Sequence, residues 1–127
     1  MNDVRLHYKV TVRIMDDNKA FGPGVAALLE GIGQCGSLQG AARRMNMSYT
    51  KAWTVIKNAE RIWGFPLTRR YAGGKTGGGS VLTAQAEMLL CRFKAMEQTV
   101  DAVAEREFCK YFNADEIKKL KEMDEPR

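Results

Sequence analysis

Between Ser37 and Thr83 two helix-forming stretches are separated by one tight break, and a basic, glycine-rich segment follows them. Ser37 is placed to cap a helix over 38–45, Asn46-Met47 makes the break, and Ser48 caps a second helix running to Trp63. Helices joined this closely must cross steeply. The crossing needs a small residue at the contact, a turn residue that tolerates positive φ, and apolar anchors on both sides. Ala42 is the small residue, and Met45 and Met47 are the anchors. Asn46 takes the turn, since asparagine enters the left-handed region more readily than most non-glycine residues. On the second helix Ala52, Val55, Ile56, Ala59 and Trp63 form an inward stripe at helical spacing. Tyr49, Thr50, Lys51, Thr54, Lys57, Asn58 and Arg61 are left facing outward.

Charge concentrates on the same stretch. Residues 37–83 carry eight Lys/Arg against the single acid Glu60, a net of +7, whereas 1–36 are balanced and 84–127 carry a net of −2. The whole chain's excess of +5 therefore sits on one segment. An outward helix face of hydroxyls, an amide and cations suits base edges and phosphates. Together these features predict a helix-turn-helix with a wing over Leu67–Leu82, and a partner of double-stranded DNA. Trp53 borders the inward stripe and is expected in the core rather than stacked on a base.

The glycine run invites a second reading, because Gly74-Lys75-Thr76 ends like a phosphate-binding loop. The glycine that motif needs five residues earlier is replaced by Arg69, and three glycines follow Thr76 where a helix should open. A hairpin tip fits better, with Arg69, Arg70 and Lys75 meeting phosphates or the minor groove. The expected DNA-binding residues are therefore Ser48, Tyr49, Thr50, Lys51, Thr54, Lys57, Arg69, Arg70 and Lys75.

The flanks complete a mainly α fold with a small β component. Val4, Leu6, Tyr8, Val10, Val12 and Ile14 alternate with polar residues, which predicts a half-buried N-terminal strand over 4–15. Asp16-Asp17-Asn18-Lys19 turns the chain, and Pro23 opens a helix that ends at Gly36. Thr83 caps a long helix to about Phe112, and Asn113 with Glu116 resembles a capping box for a short last helix. The last helix, through Ile117, Leu120 and Met123, is placed to cover Phe108, Tyr111 and Phe112. Two domains are expected: 1–83, which reads DNA, and 84–127, the long dimerisation helix with its short successor. On the long helix Ala86, Leu89, Phe93, Met96, Val100 and Val103 form a heptad-like seam. A helix this long overreaches a small domain, so Leu89, Phe93, Met96, Val100 and Val103 are expected to meet a twin in a homodimer.

From Gly36-Ser37-Leu38-Gln39-Gly40-Ala41-Ala42, Met47-Ser48-Tyr49-Thr50-Lys51-Ala52-Trp53 and Gly73-Gly74-Lys75-Thr76-Gly77-Gly78-Gly79-Ser80-Val81-Leu82-Thr83, the chain resembles the N-terminal winged helix-turn-helix domain of ModE-type molybdate-responsive bacterial regulators, within the wider LysR-like group. The last block is the most specific, and the resemblance covers about residues 6–105. It implies a DNA-binding fold, a dimer and a role in transcriptional control. The family's regulators carry oxyanion-binding β-domains after this part, and the roughly 25 residues beyond the long helix read as helical instead. The molybdate-binding domains are therefore expected to be lacking, and no small-molecule effector is assigned to any residue.

Other classes fit less well. No apolar run approaches the ~18 residues a membrane helix needs, and the start lacks the pattern of a secretory leader. Cys35, Cys91 and Cys109 are expected as packed, reduced thiols in the cytoplasm, with no metal or other cofactor. His7 is the only histidine and has no nucleophile beside it, so no catalytic residue is assigned. The alternative function is an architectural or non-specific nucleic-acid-binding module on the same basic face. Single-stranded RNA is disfavoured because few exposed aromatics are expected.

Overall fold

A computed structural model describes residues 5–17, 19–72 and 79–123. In chain order the elements are β1 (Ile14–Met15), β2 (Lys19–Phe21), α1 (Pro23–Cys35), α2 (Leu38–Arg44), α3 (Tyr49–Trp63), β3 (Thr68–Tyr71), β4 (Gly79–Leu82), α4 (Ala84–Tyr111) and α5 (Ala114–Lys121). The fold is mainly α and of winged-helix type. Two compact units are present. One is Thr11–Ala95; the other holds the described residues of 1–10 and 96–127.

In the larger unit, side chains from α1 to α4 share one core with Phe21. Leu28, Leu29 and Ile32 come from α1, Ala41 and Ala42 from α2, Ala52, Ile56 and Ala59 from α3, and Ala86 and Phe93 from α4. Phe21 lies edge-on to Phe93 at 4.8 Å and to Trp63 at 6.4 Å, geometries that aromatic quadrupoles favour. Small residues set the helix crossings. A Cβ on Gly31 would fall 2.8 Å from the Cβ of Ala41, so α1 and α2 can approach this closely only with glycine there.

The predicted punctuation holds. Gly36 ends α1 at φ 78°, and Asn46 turns at φ 52°, the only non-glycine residue with positive φ among those described. Ser37 Oγ accepts the Gly40 N–H at 3.0 Å and Ser48 Oγ accepts that of Lys51 at 3.1 Å. Such caps stabilise by about 1 kcal/mol each. Thr83 Oγ1 accepts from Ala86 N at 3.0 Å while donating to the Pro66 carbonyl at 2.7 Å. One threonine therefore starts α4 and ties it to the root of the hairpin.

The N-terminal strand is shorter than expected. Among the described residues, which exclude Val4, only Ile14–Met15 enters a ladder, with Lys19–Phe21 and a register shift between the two residues, and Leu6 and Val10 are exposed. Alternation specifies which side chains share a face, not that a neighbouring strand exists; β2, at three residues, can pair no more. Val12 and Ile14 still pack on the core as their period demands.

In the smaller unit Tyr8 lies against α4. Its hydroxyl donates to Asp101 Oδ1 at 3.0 Å, and its ring is 5.2 Å from that of Phe108. Desolvation first, and then the carboxylates of Glu105 and Asp101, push the Tyr8 phenol well above its ordinary value. Asn113 Oδ1 caps α5 by accepting from Glu116 N at 2.9 Å, while the Glu116 carboxylate holds Lys119. The expected cover of the aromatic patch is absent: Tyr111, Phe112, Leu120 and Met123 all stay exposed, and α5 buries no residue. The three cysteines are also exposed rather than packed. The Cys109 thiol lies 3.4 Å from Glu105, whose carboxylate raises its pKa. No described helix is long and apolar enough to cross a membrane.

Candidate nucleic-acid interface

Helix α3 divides cleanly by angle. Ala52, Ile56 and Ala59 are buried, and Val55 and Trp63 pack beside them. At about 100° per residue, Thr50, Thr54 and Arg61 fall opposite that stripe and form the crest. Lys51 and Asn58 lie on one flank; Tyr49, Trp53 and Lys57 lie on the other, in one i, i+4 row. All eight are exposed. The Thr54 hydroxyl donates back to the Thr50 carbonyl at 2.9 Å, fixing its rotamer with the methyl outward. Ser48 is exposed, but its oxygen is engaged in the cap. Arg61 is bound to Asn58 along the same surface.

The wing follows as an antiparallel hairpin in which Thr68 faces Leu82, Arg69 faces Val81, Arg70 faces Ser80 and Tyr71 faces Gly79. Strand alternation sends Arg69 and Arg70 to opposite faces. Arg70, with Thr68 and Ser80, lines a groove of about 310 Å³ beside α3; Arg69 does not. Lys75 and the rest of the glycine tip, 73–78, lie outside the described residues. Two contacts fix the hairpin's base. Ser80 N–H donates to the Gly36 carbonyl at 2.8 Å. A Cβ on Gly79 would collide with that same carbonyl and come within 2.8 Å of the Tyr71 hydroxyl, so glycine is required there.

Glu60, the one acid of the segment, connects the two halves of the surface. Its Oε2 accepts N–H groups from Leu67 at 2.7 Å and Thr68 at 3.4 Å, and its Oε1 pairs with Lys57 at 3.1 Å. The side chain is only 13% exposed, so these bonds are shielded from water. A carboxylate here locks the last turns of α3 to the first residues of the wing. Charge-assisted hydrogen bonds of this kind contribute about 1.5–3 kcal/mol.

Trp53 departs from its expected place. It is 47% exposed, with the Lys57 ammonium 5.8 Å from its ring centroid. The row it shares with outward Tyr49 and Lys57 was the signal, because i±4 neighbours share a face. Tyr49 and Tyr71 are exposed beside it on the same groove. The expectation of few exposed aromatics is therefore corrected for this surface.

On the long helix the seam splits. Phe93 is buried against Phe21 and Leu89 packs on the same core, so these two residues serve their own domain. Met96 and Val103 are exposed at 49% and 43%.

The matched sequences lie on this surface. Residues 26–87 match the family described as bacterial regulatory helix-turn-helix protein, LysR family. Over that stretch, a little under half of the chain, the sequence is similar to that family's helix-turn-helix domain. Residues of this chain are 42% identical over 77 positions to the transcriptional regulator ModE of Haemophilus influenzae, covering 61% of the chain and 30% of that protein. Similarity to the molybdenum-pterin-binding protein MopB of Rhodobacter capsulatus is 39% over 74 residues, 58% of the chain and 27% of MopB. The DNA-binding transcriptional dual regulator ModE of Escherichia coli K12 is 33% identical over 76 residues, 60% of the chain and 29% of that protein. The chain thus spans less than a third of the length of these relatives. The matched stretch contains α1 to β4 almost whole, including Glu60, Trp53 and the wing. Among the described residues no group of three or more His, Cys, Asp or Glu side chains is placed to hold a metal.

Because Glu60 joins two elements of the domain, its loss has a local signature. Glu60→Ala is expected to destabilise the fold by about 1–3 kcal/mol and to speed hydrogen exchange at the Leu67 and Thr68 amides more than at amides within α1. Equal acceleration everywhere would show that the carboxylate is not a specific tie to the wing.

Proposed function

We propose that the chain is a sequence-specific, double-stranded-DNA-binding transcriptional regulator acting in the cytoplasm as a homodimer, without catalytic chemistry. The observation that carries this reading is the joined surface of α3 and the wing, a polar crest beside a basic hairpin on a LysR-family domain. Thr50 and Thr54 on the crest face base edges. Lys51 on one flank, and Ser48, Tyr49 and Lys57 around the helix start and opposite flank, position the helix on the strands. Arg69, Arg70 and Lys75 extend the contact along the wing.

Dimerisation is supported by the far part of α4. There Asp101, Glu105 and Phe108 face the chain's own Tyr8. Met96, Val100 and Val103 fall roughly 105–170° around the helix from that face. This leaves an apolar row for a twin while the other side is covered from within. Two-fold pairing sets recognition helices about one DNA turn, roughly 34 Å, or a multiple apart.

Two measurements test the reading. Lys51→Ala and Arg69→Ala should each weaken duplex binding at low salt and reduce the slope of log K against log salt by about 0.9; unchanged affinity for every duplex would remove the DNA face from this surface. In sedimentation the protein should run as a dimer at micromolar concentration and Val103→Glu as a monomer, whereas a monomeric parent protein makes the seam intramolecular.

A further inference from the structure

An exposed tryptophan beside the recognition surface needs a partner that gains from it. Trp53 lies about 100° around α3 from the crest residue Thr54, on the side toward the wing. It lines the groove with Tyr49, Lys57, Arg70, Tyr71 and Ser80. Three aromatic rings, two cations and the Ser80 hydroxyl share its lining. That mixture matches a sugar–phosphate strand, in which apolar deoxyribose faces alternate with anionic phosphates. When α3 enters the major groove and the wing the adjacent minor groove, the strand separating the two grooves must pass between them.

We propose that this groove is the track of one sugar–phosphate strand of duplex DNA, with the Trp53 indole packed on deoxyribose and Lys57 and Arg70 holding the flanking phosphates. This rests on the DNA-binding reading above and assigns Trp53 within it. Stacking of an unpaired base is the competing use of the ring. The Lys57 ammonium lies over the indole at 5.8 Å, so a base can stack on that face only by displacing a cation already paired to Glu60. A sugar edge and its phosphate approach that cation favourably instead. Trp53 is thus a positioning residue for the strand, and its contribution is independent of base sequence.

The test measures anisotropy of a fluorescein-labelled mixed-sequence duplex of roughly 20 bp, and of its single strand, against the protein, Trp53→Ala, Trp53→Phe, Arg70→Ala and Lys51→Ala. Trp53→Ala should weaken duplex binding roughly ten-fold, or about 1.4 kcal/mol, leaving the salt slope unchanged because no charge is removed. Trp53→Phe should recover part of the loss, and Arg70→Ala should lower the slope by about 0.9. Acrylamide quenching of the emission lost in Trp53→Phe should fall when the duplex is added, a change that a merely structural tryptophan would not show. A loss confined to the single strand would overturn the track in favour of base stacking. A loss abolished when every thymine is replaced by uracil would overturn it in favour of methyl readout. If Trp53→Ala binds duplex normally while Lys51→Ala and Arg70→Ala do not, the strand track fails and the DNA reading stands. If the protein itself binds no duplex, both fail.

Discussion

The carboxylate of Glu60 is bound to the backbone N–H groups of Leu67 and Thr68 on one oxygen and to the Lys57 ammonium on the other. A helix and a hairpin joined by a short connection can swing relative to each other unless something spans them. In the proposed function the helix and the wing meet one duplex together, which requires their relative angle to be fixed. A single mostly buried carboxylate holds it. The one acid of the basic segment is thereby directed at the connection, its charge met by two amides and an ammonium.

The rest of the platform is fastened at glycine and threonine positions. Gly36 ends α1 in the left-handed region, and its carbonyl receives the Ser80 N–H, so the end of one helix and a wing strand share a bond. Gly79 permits that approach, and Thr83 bonds both the Pro66 carbonyl and the start of α4. The near part of α4 is then committed inward through Ala86 and Phe93, and its later residues are released for other work. That division leaves one helix with a core part and a separate apolar row, the row on which the proposed dimer rests.

Much of this was legible in the sequence, because it depends on short-range chemistry. Ser37, Asn46, Ser48, Thr83 and Asn113 act at the positions their side chains favour, and the stripe of α3 follows its period. The failures are tertiary. Of the row predicted over 4–15, Val12 and Ile14 pack on the core while Leu6 and Val10 stay exposed, because among the described residues only Lys19–Phe21 supplies a partner strand. Trp53 borders the inward stripe, yet its row with Tyr49 and Lys57 points outward. Phe93 belonged to a seam by spacing, yet Phe21 lay close enough to take it. Glu60 was visible only as a lone acid; that it reaches two amides seven and eight residues onward requires the folded turn.

Selection of binding sites from random duplex DNA bears most directly on the central claim that α3 and the wing together form a sequence-reading surface presented in a two-fold pair. Enrichment of an inverted repeat whose half-site centres are about 10 bp or a multiple apart is expected, with Thr50→Ala or Thr54→Ala changing the preferred bases and Arg70→Ala leaving them unchanged. Recovery of duplexes without any shared sequence, at an affinity set by salt alone, would contradict it.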